Sequence, residues 1–343
     1  MMRKHFMLFT LAVGMLTCIQ AQKKPLTAIA FGSCDNQYVQ PKLWKEVNAV
    51  RPQLWIWGGD IVYGDTYNMD TLRHKYDVQK NQPGYRELLS YAAVTGVYDD
   101  HDYGLNDGGS EYERRRESRD ILLDFLGIPA ADAIRKREGG YSSMIYGPQG
   151  RQVKVINLDT RYFRDALERE TYTNANGQSE SRYKRIPGRD ILGEAQWQWL
   201  ENELRSKAAI TIINSSIQLI ASDHRFEKWA NFPSAQQRFY DLVAASGQEG
   251  VFVISGDRHI AELSSLQLPG MKYPLYDITS SGMTHTWPAY REEPNANRTG
   301  KLVAQKNFGV IHIDWSGKKP KVSVEIQGNN NAVFAKFPLD LNK

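Results

Sequence analysis

The sequence predicts an α/β fold, and three observations support this fold class. Apolar runs of strand length alternate with amphipathic or charged stretches of helix length through most of the 343 residues. Three of these runs, at 54–57, 93–97 and 251–254, lead directly into segments rich in Asp and His. No internal repeat, low-complexity segment or linker divides the chain. We therefore expect a single domain over residues 22–343.

The first half of the chain alternates strand and helix. We predict strands near 28–33, 53–58 and 92–98, and helices near 41–50, 70–90 and 110–126. Residues 141–146 and 151–158 are separated by Gly-Pro-Gln-Gly, a turn signal that predicts a hairpin.

A polar stretch at 163–190 follows, and it has two interpretations: a lid beside the site, or a floppy surface insertion. Beyond it we predict helices at 194–204 and from Pro233 to about 245, and strands at 209–213, 251–255, 274–279, 308–315, 321–327 and 333–337.

Composition limits the classes of function. The chain is 41% hydrophobic and 24% charged, as in globular proteins. Two of its four net positive charges, Arg3 and Lys4, lie in a segment that we expect to be removed. No basic stripe interleaved with aromatic residues is visible, so nucleic acid is not an expected partner.

Residues 1–21 have the pattern of a secretory signal, with a positive start, an apolar stretch and Ala21 at the cleavage point. Lipidation at Cys18 is the alternative, disfavoured by Thr17 before the cysteine. We expect an exported protein, periplasmic or extracellular, with no membrane span after cleavage. Cleavage leaves Cys34 as the sole cysteine, which excludes an internal disulfide. Cys34 is then either a buried inert thiol or a metal ligand, and its position at a strand end favours the ligand.

Asp60 and Tyr63 lie in a Gly-rich turn that directly follows a strand, so both side chains can face one cavity. A carboxylate can bridge two cations, and a pair of metals about 3.5–4 Å apart can clamp a phosphoryl displacement. A phenolate favours Fe(III). Asp257 and His259 are one residue apart after another strand, so in an extended segment they point the same way. Taken alone, Asp257 would be a turn residue and His259 a surface imidazole.

The segment Asp99-Asp100-His101-Asp102 places three carboxylates within four positions, which is costly unless a cation neutralises them. Ca²⁺, Mg²⁺ or Mn²⁺ would do so, with Asp100 as a ligand, and Zn²⁺ is a further candidate. His101 would then bind phosphate or protonate a leaving oxygen. Asn106 and Asp107 could add oxygen ligands, but for each of them an Asn-Asp-Gly-Gly turn is the favoured explanation.

Arg161 follows a strand end and suits two roles, a bidentate clamp on a phosphate oxyanion or an ion pair to a neighbouring carboxylate. His285 and Trp287 follow another strand end, where they are candidates for lining a pocket. Carboxylates and histidines at several strand ends together predict a metal-dependent hydrolase.

Seven segments resemble, in the same order along the chain, motifs of the PhoD (alkaline phosphatase D) family of calcineurin-like metallophosphoesterases. They are Phe31-Gly32-Ser33-Cys34, Gly59-Asp60-Ile61-Val62-Tyr63, Asp99-Asp100-His101-Asp102, Leu158-Asp159-Thr160-Arg161, Leu192-Gly193-Glu194-Ala195-Gln196, Lys228-Trp229-Ala230-Asn231-Phe232-Pro233 and Gly256-Asp257-Arg258-His259.

The resemblance implies a calcineurin-like metallophosphoesterase core, a β-sandwich flanked by helices in α-β-β-α layers, with a cluster of Fe(III) and Ca²⁺. The residues it implies on the iron side are Cys34, Asp60, Tyr63 and Asp257. Those on the second side are Asp60, Asp100, His259 and either Asn106 or Asp107. It further implies that His101 and Arg161 contact phosphate.

The chain also departs from the family. Larger members carry an extra β domain before the core, whereas here the core begins almost directly after the predicted signal. The segment at 103–107 differs from the usual one, and the loops at 163–190 and 284–300 have no match. Substrate choice is expected to be decided in such loops.

We therefore expect an exported phosphoric ester hydrolase that acts on small phosphoesters with a metal-activated water. One alternative is a phosphodiesterase for lipid or cell-wall phosphodiesters with little monoesterase activity. Another, from a different class, is a non-catalytic metal-binding or scaffold protein on the same fold.

Overall fold

Two β-sheets packed face to face form the centre of the molecule in a computed structural model, which describes residues 24–174, 176–290 and 293–341. The predicted signal peptide and the alternative lipidation site, Cys18, lie outside these residues. The strands are β1 (Ala28–Gly32), β2 (Leu54–Gly58), β3 (Ala93–Val97), β4 (Ser142–Tyr146), β5 (Val153–Asn157), β6 (Arg169–Thr173), β7 (Ser179–Tyr183), β8 (Ile210–Asn214), β9 (Val251–Ser255), β10 (Ala261–Leu266), β11 (Leu275–Ser280), β12 (Arg298–Val303), β13 (Phe308–Asp314), β14 (Lys321–Gln327) and β15 (Val333–Leu339).

Helices connect and cover these strands. They are α1 (Trp44–Val50), α2 (Met69–Lys80), α3 (Pro83–Leu89), α4 (Asp100–Tyr103), α5 (Arg115–Phe125), α6 (Gly193–Arg205) and α7 (Pro233–Ala245). Short 3-10 helices lie at Ala133–Lys136, Trp229–Asn231, Pro288–Tyr290 and Asn329–Asn331. No helix within the described ranges combines the length and the apolar character needed to cross a membrane.

Both large sheets are mixed. The first has the order β15-β14-β13-β1-β2-β3, with β1, β2 and β3 parallel and β13 antiparallel to β1. The second has the order β12-β10-β11-β9-β8-β5-β4, with β5, β8, β9 and β11 parallel. The carboxyl ends of parallel strands therefore form one edge of each sheet, where ligands bind in α/β folds.

Alternation along the strands creates three layers of core. In β1 and β2, Ile29 and Leu54 face the opposite sheet, while Trp55 and Trp57 face outward and pack under α1, α2, α3 and α5. On the far side, Trp197 of α6 packs over the outer face of the second sheet. Each fully buried aliphatic or aromatic side chain contributes about 1.5–3 kcal/mol. The layers are helix, sheet, sheet, helix, which confirms the predicted α-β-β-α sandwich.

Most predicted elements are present within a few residues of their expected bounds. The helical stretch at 70–90 is two helices, because Pro83 begins a new one. Residues 163–190 are not a plain loop, since β6 and β7 pair there as a separate hairpin. Two strands of the second sheet were not predicted. The small polar residues of β10 and the mostly exposed β12 lack an apolar signal.

The two sheets approach each other closely at the carboxyl ends of their parallel strands. The Asn214 amide, at the end of β8, donates a hydrogen bond of 2.9 Å to the carbonyl of Trp57 in β2. A Cβ atom at Gly256, after β9, would collide with the carbonyl of Gly58. Only glycine allows this approach, so the loops that follow β2 and β9 face one another.

Candidate active site

Residues that follow four parallel strands meet at this edge. Their side-chain ligand atoms form three overlapping groups, each with all its atoms within 4.8 Å of one another. The groups are Cys34, Asp60 and His259; Asp60, Asp100 and His101; and Asp60, Asp99, Asp100 and Asp257. Asp60 belongs to all three, so its carboxylate lies at the centre of the constellation.

The backbone is strained at these positions. Cys34 has a φ of 60°, Asp60 49°, Asp257 69° and His259 54°. This left-handed region is uncommon for residues other than glycine, and such strain concentrates at functional sites. Here it directs four side chains from three strand ends toward the same point.

Cys34 is fully buried, with its Sγ 3.3 Å from Oδ2 of Asp60. Burial raises the pKa of the thiol well above its usual value, and the carboxylates of Asp60 and Asp257 raise it further. A nearby cation reverses this balance, because a coordinating thiol is deprotonated. The arrangement fits a thiolate ligand to a metal.

Buried carboxylates dominate the electrostatics. Asp60 is 1% exposed, and its Oδ1 accepts no hydrogen bond from the described residues. Burial raises the pKa of Asp60, and Asp100 and Asp99 raise it further although His101 opposes them. Asp100 differs, because Arg161 and His101 outweigh its burial and lower its pKa to about 2. An unbonded buried oxygen among mutually repelling carboxylates fits a bound cation.

Tyr63 joins the group through its hydroxyl, which lies 3.1 Å from Nε2 of His259 and 3.0 Å from Nε2 of His285. Its ring also packs against that of His101, with centroids 4.3 Å apart. Burial raises the pKa of Tyr63 well above its usual value. An imidazole pair around a phenol oxygen gives mixed nitrogen and oxygen donors, a set that transition metals bind.

His101 is oriented by Asp65, whose carboxylate lies 2.8 Å from Nδ1, so Nε2 is left for other contacts. Burial lowers the pKa of His101, but the carboxylates of Asp60, Asp65 and Asp100 outweigh burial and raise it to about 11. In the metal-free protein these carboxylates therefore favour the protonated imidazole, and its Nε2 is placed to donate to an anionic group in the cavity.

Arg161 is fully buried and forms ion pairs with two carboxylates. Its Nε donates to Oδ1 of Asp99 and its Nη1 to Oε2 of Glu227, both at 2.6 Å. Arg164 also pairs with Glu227, at 3.0 Å. The structure therefore contains the ion-pair alternative left open by the sequence. Direct contact of Arg161 with phosphate stays a prediction.

Asn106 and Asp107 lie at the mouth of the site. The backbone N–H of Asp107 donates to Oδ2 of Asp100 at 2.7 Å, and the Asn106 amide donates to Oδ2 of Asp107 at 2.9 Å. Among the described residues, the Asp107 carboxylate is not part of the three tight groups. It accepts instead from the hydroxyl of Tyr183 in β7. Ligation by either residue stays a prediction.

The constellation opens into a cavity of about 430 Å³. Its lining residues are Tyr63, Asp100, His101, Asn106, Asp107, Arg169, Phe226, Glu227, Asp257, Arg258, His259, His285 and Trp287. His285 and Trp287 were expected to line a pocket. Four lining residues were not predicted from the sequence: Arg169, Phe226, Glu227 and Arg258. The first three do not lie next to the end of a predicted strand. Arg258 stands inside the Gly-Asp-Arg-His motif, which could have indicated it.

The hairpin β6–β7 lies beside this cavity. Arg169 of β6 lines it, and Tyr183 of β7 reaches Asp107. The Arg169 guanidinium stacks on the Tyr183 ring, 4.1 Å from its centroid. The position of this hairpin agrees with the first interpretation of residues 163–190, a segment beside the site.

Comparison with known proteins supports a common family. The family model of PhoD-like phosphatase matches residues 29–318. Alkaline phosphatase D of Bacillus subtilis (strain 168) is 28% identical over 223 residues, which cover 50% of this chain. The matched part is 38% of that relative's length.

Two solved structures show the same fold. "Structure of PhoD" superposes with a TM-score of 0.66 at 15% identity, covering 94% of this chain and 73% of the other. "GAP50 the anchor in the inner membrane complex of Plasmodium" superposes with a TM-score of 0.55 at 11% identity, covering 93% and 90%. At these identities the likeness concerns the metallophosphoesterase fold alone.

The family is metal-dependent, and the three groups around Asp60 are candidate metal-binding sites. The fold, the family match and the geometry are consistent with a phosphoesterase. The chain belongs to the PhoD-like phosphatase family.

Proposed function

We propose that this chain is an exported phosphoric ester hydrolase of the alkaline phosphatase D type, with residues 22–343 as its single domain. One observation carries the proposal: three overlapping donor groups share Asp60 and face a cavity of about 430 Å³. The 28% identity to alkaline phosphatase D supports the type of activity. The match covers 38% of that relative's length, so we propose the activity of this chain separately and do not transfer it from the relative.

The donor set suggests how two cations would be held. Cys34, Asp60, Tyr63 and Asp257 offer sulfur and anionic oxygen, which suits Fe(III). Asp60, Asp100 and His259, with Asn106 or Asp107, offer the oxygen-rich set that Ca²⁺ accepts, and Mg²⁺, Mn²⁺ or Zn²⁺ are alternatives. Bound cations would supply a water of lowered pKa and neutralise the charge of the phosphate oxygens.

The remaining residues handle the substrate. His101 lines the cavity and its Nδ1 is held by Asp65, so its Nε2 is placed to protonate the leaving oxygen of an ester. Arg161 bridges the buried carboxylates of Asp99 and Glu227. Because Asp99 lies in the donor group that contains Asp60, Asp100 and Asp257, Arg161 would position this group as well as contact phosphate.

The cavity wall bears on the choice between monoesters and diesters. Phe226 and Trp287 form an aromatic wall with ring centroids 5.9 Å apart, and Trp287 packs against His259 at 4.8 Å. Such a wall can hold the organic part of an ester while the phosphate lies over Asp60. This favours an ester with an apolar or aromatic group, and a diester is the second candidate.

The test is hydrolysis of p-nitrophenyl phosphate and of its bis ester, with and without chelator. The proposal predicts turnover that the chelator abolishes, and the preferred ester ranks monoesterase against diesterase. Asp60→Asn from the same preparation controls for contaminating phosphatases. Absence of turnover of both esters by the metal-loaded protein would contradict the proposal. It would favour the non-catalytic alternative, since one protein of the same fold, GAP50, is described as an anchor.

A further inference from the structure

A second cavity, of about 480 Å³, lies behind the wall of the active site. Its lining residues are Glu170, Arg182, Tyr183, Lys184, Arg185, Ser222, Asp223, His224 and Lys228. Tyr183 is shared between the two cavities, because its hydroxyl donates to Asp107 on the active-site side. The imidazole of His224 lies 6.3 Å from the ring of Phe226, which lines the active site.

Lys228 is a buried cation in this cavity. Its residue is 2% exposed, and its ammonium donates to one acceptor, the carbonyl of Phe226 at 2.8 Å. Within the described ranges no carboxylate forms an ion pair with it. An ammonium has three donors, and a buried charge is costly unless it is paired. Burial, Arg185 and Arg258 lower its pKa to about 7, although the more distant carboxylates of Glu293 and Glu227 oppose them, so an anion bound here would favour the charged ammonium.

His224 adds unsatisfied hydrogen-bonding capacity. It is 5% exposed, and neither ring nitrogen has a hydrogen-bond partner among the described residues. Buried polar groups in native proteins are satisfied by protein, water, ions or ligands. Burial lowers the pKa of His224 well below its usual value, and the positive charges of Arg258, Lys228 and Arg185 lower it further. An anion placed between Lys228, Arg185 and His224 would offset the positive charge and accept a hydrogen bond from the imidazole N–H.

The other charges of the cavity are largely balanced. Arg182 pairs with Glu170 at 2.7 Å and Lys184 with Glu168 at 2.9 Å. The exposed Asp223 carboxylate accepts the backbone N–H of Ala296 at 2.8 Å and keeps its negative charge, which offsets part of the positive charge of Arg185 and Lys228. Arg185 is exposed at the rim and bonds to the carbonyl of Ser222 at 2.5 Å. Lys228 and Arg185 therefore supply the positive charge for which the described residues offer no ion-pair partner.

We propose that this cavity binds a tetrahedral oxyanion of the phosphate class through Lys228, Arg185 and His224. Two sources would present the same chemistry: a second phosphate of a substrate that carries two, and inorganic phosphate itself. Binding at this cavity does not depend on the hydrolytic activity proposed above, whereas the choice between the two sources by kinetics rests on that activity.

Calorimetric titration with inorganic phosphate tests the site in the full chain. Asp60→Asn removes the central metal ligand, so the phosphate that this variant still binds reports the second cavity. Adding Lys228→Met to Asp60→Asn is expected to raise the Kd for phosphate about tenfold, the change expected for the loss of one hydrogen bond from a charged donor. Arg185→Gln should weaken it several-fold. The matched control, Arg182→Gln, should stay within twofold because its charge is already paired with Glu170.

Phosphate binding that neither Lys228→Met nor Arg185→Gln weakens would overturn the proposal, as would absence of binding in the Asp60→Asn protein. If Lys228→Met fails to fold, the exposed Arg185 still decides the question. Kinetics with hexane-1,6-diol bisphosphate and hexyl phosphate separate the two sources. A KM that Lys228→Met raises for the bisphosphate alone assigns the site to substrate, whereas loss of phosphate binding with both KM values unchanged assigns it to inorganic phosphate.

Discussion

Replacing Asp60 by Asn should have opposite effects on stability with and without metal. Its carboxylate lies within 4.8 Å of ligand atoms of Asp99, Asp100 and Asp257. In the metal-free protein these charges repel one another, so the neutral amide should stabilise the fold. In the metal-loaded protein the same change removes the ligand that all three groups share, and the stabilisation that comes from metal binding should be lost.

The magnitude follows from Coulomb's law. Two unit charges 4.8 Å apart repel by about 3.5 kcal/mol at an effective dielectric constant of 20. Uptake of a proton, which the raised pKa of Asp60 favours, and the attraction of His101 both reduce the net repulsion, so the gain should lie between about 1 and 3 kcal/mol. At about 2 °C per kcal/mol this corresponds to a rise in Tm of about 2–6 °C. With metal at a thousand times its Kd, the wild type instead gains about 4 kcal/mol that the variant lacks.

Thermal melts of both proteins after chelator treatment and after metal addition measure the two effects. Asp35→Asn is the matched control. Asp35 is also buried at a strand end, but it pairs with Lys42 and accepts from the Gln79 amide at 2.5 Å. Breaking that buried pair should destabilise the protein by about 3 kcal/mol in both conditions. The reasoning would be refuted if metal-free Asp60→Asn melted below metal-free wild type, or if metal raised the Tm of both proteins equally.

Three further predictions concern single contacts. Arg161→Met leaves Asp99 and Glu227 buried without the cation that they share. Urea unfolding of the chelated protein should therefore show a free energy of unfolding that is lower by about 3–5 kcal/mol. A decrease of less than about 1 kcal/mol would contradict the paired geometry. Tyr183→Phe removes the hydroxyl that donates a hydrogen bond to Asp107. We expect kcat/KM to change several-fold while Tm stays within about 2 °C of the wild-type value. An unchanged kcat/KM would show that the hairpin does not contribute to the site. Gly309→Ala places a Cβ against the ring of Phe31 and should cost about 1–3 kcal/mol in the same unfolding assay, and a neutral effect would argue against this packing.

Strand ends could be predicted from the sequence because their signals are local. An apolar run such as β2, buried at every position, identifies its own strand, and the Gly-Asp that follows identifies its end. Parallel pairing brings the ends of β2 and β3, and so Asp60 and Asp100, to one edge of the first sheet. Asp257 follows β9 of the second sheet and reaches them because the two sheets approach each other at this point, which the local signals do not show. The same reasoning made His285 a candidate for lining a pocket, whereas its contact with Tyr63 is visible only in the structure.

Residues brought in by loops could not be predicted in this way. Glu227 reaches Arg161 from 66 positions along the chain, and no periodicity links the two. Arg169 reaches the cavity from a hairpin whose strands are mostly exposed and polar, so no apolar pattern in the sequence predicts these strands. The ion-pair role of Arg161 was one of two alternatives, and only the positions of Asp99 and Glu227 in the structure reveal the ion pairs, while the phosphate contact stays a prediction.

The most direct test of the metal-dependent hydrolase is to return metal stepwise to the chelated protein and follow bound metal and hydrolysis together. We expect the rate for p-nitrophenyl phosphate, or for its bis ester, to rise in proportion to bound metal, and Asp60→Asn to gain neither. Full turnover by the chelated protein, or metal bound to the wild type without turnover of either ester, would contradict the account.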